Sequence, residues 1–162
     1  MDWLVGMAPS DPNYRGPALT PTGGRTSSAD RLRTLLDMSV EEFLRAYPDR
    51  ENALNYAYGR LLARRVTGRV AVFGVDAWRM LGLPSRRFWE SYQTKAATFY
   101  LLPHPSGRCR LYNTGTNRVR LRRLFWQSSP LRSATTGWSL REQSCRDPSG
   151  SRPASGFSTG RR

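Results

Sequence analysis

Arg69-Val70-Ala71-Val72-Phe73-Gly74 is an almost unbroken run of apolar, β-branched and aromatic residues closed by a glycine. A run of this length without polar alternation predicts a strand buried on both faces. Working outward, Asp76 to Leu81 predicts a helix that ends at Gly82 and Pro84. Upstream, Leu54, Ala57, Tyr58, Leu61 and Leu62 share one helical face, which predicts a longer helix from Glu51 to Val66. Two more apolar runs lie beyond these helices: Asp2 to Met7, which feeds Gly-x-x-Pro punctuation, and Thr98 to Pro103, which delivers His104. Apolar strands alternating with helices predict an α/β fold on a parallel sheet covered on both faces. Such sheets bind ligands beyond the carboxyl ends of their strands. The segments after Met7, Gly74 and Pro103 all start there and are expected to converge on one crevice.

The loop after Met7 is long, running to about Ser28 with Pro9, Pro12, Pro17 and Pro21, and loops of that length in a domain are either functional or flexible. Ser28 is the expected cap of a helix bearing Leu32, Leu35 and Leu36, and Ser39 with Glu42 makes a capping box for a second. Gly115 to Trp126 reads as a last helix, with Val119, Leu121, Leu124 and Phe125 apolar among four arginines. From Gln127 to Arg162 the composition is Ser, Gly, Pro and Arg without period, which is that of a disordered basic tail. The expected organisation is one domain over 1–126 and a tail over 127–162.

The chain has 162 residues, with 26 basic side chains against 12 acidic and a formal charge of +14. That excess points to a polyanionic partner, and because every basic residue except Lys95 is arginine it suits bidentate contacts to phosphate. No stretch approaches the roughly 20 apolar residues of a membrane span, so the expectation is a cytoplasmic protein without a membrane partner. Cys109 and Cys145 lack the spacing or companions for a disulfide framework or a zinc site, and no metal or cofactor is implied. Between Ser85 and Phe125 nine cationic residues face Glu90 alone, interleaved with Phe88, Trp89, Tyr92, Tyr112 and Phe125. That is a candidate DNA-facing surface, with a solvated helix face as the plainer reading.

Leu102-Pro-His-Pro-Ser-Gly-Arg-Cys-Arg-Leu-Tyr-Asn113 resembles the second active-site motif of the uracil-DNA glycosylase superfamily, in which a strand ends in His-Pro-Ser. Val5-Gly-Met-Ala-Pro-Ser10 resembles its Gly-x-x-Pro turn. Gly16-Pro-Ala-Leu through Arg25-Thr-Ser-Ser resembles its Gly-x-Pro-Phe and Arg-Ser-Gly region, and Arg50-Glu-Asn52 sits where members carry a pyrimidine-reading Asn. The resemblance covers roughly residues 3 to 125. It implies a three-layer α/β/α sandwich around a four-stranded parallel sheet, a monomer, and base excision from DNA containing a non-canonical pyrimidine.

The chemistry suits these residue types. Breaking an N-glycosidic bond puts negative charge on the departing base, and one well-aimed donor is worth on the order of 3 kcal/mol. His104 is the candidate donor, with a structural histidine as the alternative. Asn52 carries both donors and an acceptor for a pyrimidine edge, and a helix N-cap is its equal alternative. By the resemblance, Pro105-Ser106-Gly107 grips phosphates through backbone N–H groups, Arg108 and Leu111 are candidate wedges, and Arg110, Arg25 and Ser27 are further DNA contacts.

The chain also departs from the family. The positions that usually hold the water-positioning carboxylate or Asn are Met7, Ala8 and Gly24 here, which leaves Asp11 or Asn13 to orient water; Asp30 reads as a solvent-facing helix residue. The aromatic barrier against 5-substituents is replaced by Ser10, and the stacking Phe by Ala18 or Leu19, with Tyr14 able to refill the space. The roomier pocket suggests a bulky 5-modified cytosine, such as the glucosylated hydroxymethylcytosine of phage DNA in an antiviral role, with uracil in base-excision repair as the other substrate. Lys95 is the only lysine, and nothing marks it as an amine nucleophile for lyase chemistry. The competing expectation is a DNA-binding protein of the same fold without catalysis.

Overall fold

The computed structural model describes residues 1–7, 18–23, 27–106 and 108–126. Strand β1 (Trp3–Met7) is followed by helices α1 (Ser28–Leu36) and α2 (Val40–Ala46), then β2 (Asp49–Ala53) and α3 (Tyr56–Arg65). β3 (Gly68–Phe73), α4 (Val75–Met80), β4 (Ser91–Gln93) and β5 (Ala97–Leu102) come next. A single 3-10 turn (Arg110–Asn113) and α5 (Gly115–Trp126) complete the order. The sheet runs β2-β1-β3-β5-β4. Its first four strands are parallel, and β4 pairs antiparallel with β5.

The α/β class and the parallel core strands are as expected, but the sheet has five strands rather than four. The two strands that the apolar pattern did not reveal lie at its edges. β2 is Asp-Arg-Glu-Asn-Ala, of which Ala53 alone is buried, so backbone pairing to β1 defines it rather than side-chain burial. β4 is a three-residue strand that leads into a tight turn in which the Thr94 hydroxyl and N–H bracket Ala97.

Recognition of β2 shortens the helix expected from Glu51. α3 starts at Tyr56, and its cap is Asn55, whose Oδ1 accepts from Tyr58 N–H at 2.9 Å. The N-cap reading of Asn52 therefore falls. Leu62 is buried under α3 while Leu61 points outward, and a Cβ on Gly59 would collide with the Met80 carbonyl, so glycine lets α3 lie directly on α4. The cap of α1 is Ser27 rather than Ser28, and the box of Ser39 and Glu42 is present at α2 as expected.

Helices cover both faces of the sheet. On one face Leu4, Ala71, Phe73 and Leu102 pack under α1, α2 and α5 through Leu32, Leu36, Phe43, Leu121 and Phe125. On the other, Val5, Val70, Val72, Phe99 and Leu101 pack under α3 and α4 through Leu62, Ala77 and Trp78. This alternation along β1, β3 and β5 is the two-residue period of strands buried on both sides. No helix among the described residues is long and apolar enough to cross a membrane.

Candidate active site at the carboxyl ends of the strands

Gly6 and Asn52 are register partners at the carboxyl ends of β1 and β2. The strand period puts the Asn52 side chain on the face covered by α1, α2 and α5. A Cβ on Gly6 would stand 3.3 Å from Asn52 Oδ1 and 3.7 Å from Leu19 Cγ, so the bare backbone of Gly6 makes room for both side chains. Leu19 holds φ of 48°, a left-handed conformation costly for a branched side chain, and packs partly buried against the core. The half-buried Asn52 amide carries two donors and an acceptor at this position, the set that a pyrimidine edge would need. Met7, the last residue of β1, is exposed beside them.

Next to β1 along the same edge, Gly74 leaves β3 with φ of 95° and donates its N–H to the Leu102 carbonyl at 2.9 Å. This brings it beside His104, whose Cβ and Cδ2 lie 3.8 Å from where a Gly74 Cβ would be. The imidazole is half-buried, and burial pushes its pKa below the ordinary 6.5. Its Nδ1 accepts from Ser106 N–H at 3.2 Å. An accepting Nδ1 requires the neutral ring to carry its proton on Nε2, which makes Nε2 a donor. Two bonds steady the approach to this ring. The buried Tyr112 hydroxyl donates to the Pro103 carbonyl at 2.7 Å, and Cys109 N–H donates to the Ser106 carbonyl at 3.1 Å.

Asp30 is not solvent-facing: it is 1% exposed, and its carboxylate collects five donors. These are Thr22 N–H and hydroxyl, Gly23 N–H, Ser27 hydroxyl and Arg33 Nε, at 2.5 to 3.1 Å. Burial alone would raise its pKa, but the bonds from Ser27, Thr22 and Arg33 hold it well below the usual carboxylate range. Asp30 is thus an anchor for the returning end of the first loop, with no lone pair left for water. Periodicity could not reveal this, although a Ser-x-x-Asp spacing at a helix start is a capping signal.

Several expected DNA contacts take other roles. Ser27 is the N-cap of α1, with its hydroxyl committed to Asp30. Ser106 N–H is committed to the imidazole and so is not free to grip a phosphate. Arg108 and Arg110 are exposed, as the expectation requires. Leu111 is 41% exposed on a turn whose carbonyl is held by Thr114 and Asn117, so a rigid apolar side chain projects near His104 in sequence. On α5, Arg118 caps the Tyr112 carbonyl, Arg120 stacks on Trp89 and Arg122 caps the Leu35 carbonyl. Much of that helix's charge therefore fastens the fold.

The expectations for Ala8, Ser10, Asp11, Asn13, Tyr14, Arg25 and Gly107, and for the tail 127–162, fall outside the described residues. No family model, curated protein or solved structure matches the chain significantly.

Proposed function

We propose that the chain is a monofunctional DNA glycosylase of the uracil-DNA glycosylase superfamily, built on that superfamily's three-layer α/β/α plan around its four parallel strands. The observation that carries this reading is one sheet edge on which Asn52 and His104, with Ser106 N–H on its Nδ1, stand at the carboxyl ends of β2 and β5 with Gly6 and Gly74 between them. Asn52 would read the pyrimidine edge. His104 would donate from Nε2 to the base oxygen that gains charge as the C1′–N bond breaks, and water adding at C1′ would leave an abasic sugar. A neutral donor suits this role, because it stabilises the leaving base without having to surrender a proton. Leu111 and the exposed Arg108 would enter the gap left by the flipped nucleotide.

The substrate follows from the first loop, where Ser10 in place of an aromatic barrier favours a 5-modified cytosine, with uracil as the second choice. A DNA-binding protein of the same plan without catalysis is favoured by one observation: the Asp30 carboxylate is fully committed and offers water no base.

The test is to incubate the full chain with uracil-containing DNA, ordinary DNA and phage DNA carrying glucosylated hydroxymethylcytosine, and to count alkali-labile sites. Sites in one non-canonical DNA that vanish with His104→Ala support the glycosylase and name its base. Tight, salt-dependent binding without sites in any DNA selects the non-catalytic reading.

A further inference from the structure

We propose that Arg31 is a positioning residue that locks the His104 ring in its Nε2–H tautomer and holds it toward the carboxyl edge of the sheet; its effect on rate rests on the base-excision reading, whereas its effect on the ring does not. Arg31 projects from the first turns of α1 and reaches across to the segment after β5. Its Nη1 donates to the Ser106 carbonyl at 3.0 Å, and its Nη2 donates to Asn113 Oδ1 at 3.1 Å and, at 3.4 Å, to the Cys109 carbonyl. Ser106 is the residue whose N–H rests on His104 Nδ1. One residue is thus gripped at its carbonyl by the guanidinium while its N–H sets the imidazole. The two groups lie in consecutive peptide planes joined at Ser106 Cα, so fixing the carbonyl restrains the turn at Ser106, and if that turn relaxes the ring loses the donor that keeps Nδ1 unprotonated.

The fan of acceptors explains why the residue is an arginine. Acceptors from three residues are met by two nitrogens of one planar group, which a single ammonium on a flexible stem cannot match. The neighbouring residue makes the placement more telling. Asp30, one position earlier on the same turn, fastens Thr22 and Gly23 at the end of the first loop. The start of α1 therefore ties the two loops that carry the candidate site to a single rigid element, one through a carboxylate and the other through a guanidinium. Sequence gave no sign of this, because an arginine on a helix in so basic a chain carries no distinguishing pattern.

The chain contains one histidine, so 15N spectra of the imidazole need no assignment. The full chain is expected to show one protonated and one unprotonated ring nitrogen. In Arg31→Met the two nitrogen signals are expected to move toward each other as the tautomers exchange, and abasic-site formation is expected to fall about 10- to 100-fold in kcat with KM little changed. Arg31→Lys, with one donor for Ser106 and no fork, is expected to give part of both effects and serves as the second variant if Arg31→Met does not fold. Ring nitrogens at their wild-type positions in either variant, at whatever thermal stability, would overturn the proposal. Nitrogen signals that respond as expected in a protein that excises no base would uphold the positioning role and sink the base-excision reading instead.

Discussion

The two ends of the sheet use their polar groups in opposite ways. At the amino end they face inward to one another. Asp2 accepts from Arg69 N–H at 2.7 Å, Arg69 lies over the Tyr100 ring and reaches the Leu124 carbonyl, and Arg65 pairs with Glu51 at 2.7 Å while covering Trp3. The carboxyl end is open instead: Met7, Leu54, Tyr56, Val75 and Leu111 are exposed at or just beyond the strand ends that carry the Asn52 amide and His104. The amino end thus spends its polar groups on the fold, whereas Asn52 and His104 stand at the carboxyl ends of the parallel strands, where sheets of this kind take their ligands.

Changes to the groups offered to a ligand, Asn52 and His104, should alter activity and spare stability, and changes to groups bonded within the chain, Asp30 and Asp2, should cost stability in proportion to the bonds they make. The largest effect is expected from His104→Ala: a loss of abasic-site formation by about 100- to 1,000-fold, with an unchanged urea midpoint. Next is Asp30→Asn, which turns an NH2 group toward donors and should cost about 3 kcal/mol in urea unfolding at pH 7. The sign of its pH dependence follows from the depressed pKa. The carboxylate contributes fully above the ordinary value of 3.8, and that contribution is lost as pH falls below it, so wild type and variant should converge in stability in acid.

Asn52→Ala comes third, with about 10- to 100-fold lost in kcat/KM for the preferred DNA and little change in thermal midpoint, measured by steady-state assay and calorimetry. The smallest effect belongs to the closed end. Asp2→Ala should lower stability by about 1 kcal/mol or less and leave kcat/KM where it was. A drop in activity from Asp2→Ala comparable to that from Asn52→Ala would erase the distinction between the two ends.

Most of the frame was legible because its central strands are buried on both faces, and such burial leaves an apolar run that needs no partner to be recognised. Val70 to Phe73 and Phe99 to Leu102 are of this kind. The edge strands β2 and β4 were illegible for the opposite reason, since Asp49 to Asn52 and Ser91 to Gln93 bury little and are defined by hydrogen bonds to a neighbour. Missing β2 is what put Asn52 on a helix. His104 was legible as a polar residue delivered by a buried strand. Its supports were not, because Arg31 and Tyr112 act through carbonyls 75 and 9 residues away, and nothing local in sequence marks such a contact.

The central claim is that the open end of the sheet removes a base from DNA, and the direct measurement is mass spectrometry of the small-molecule fraction after single-turnover incubation with each DNA. The expected result is a free modified cytosine or free uracil, released in step with abasic sites by the wild-type chain and not by His104→Ala. Release of no free base from any of the DNAs, or equal release by His104→Ala, would contradict the account.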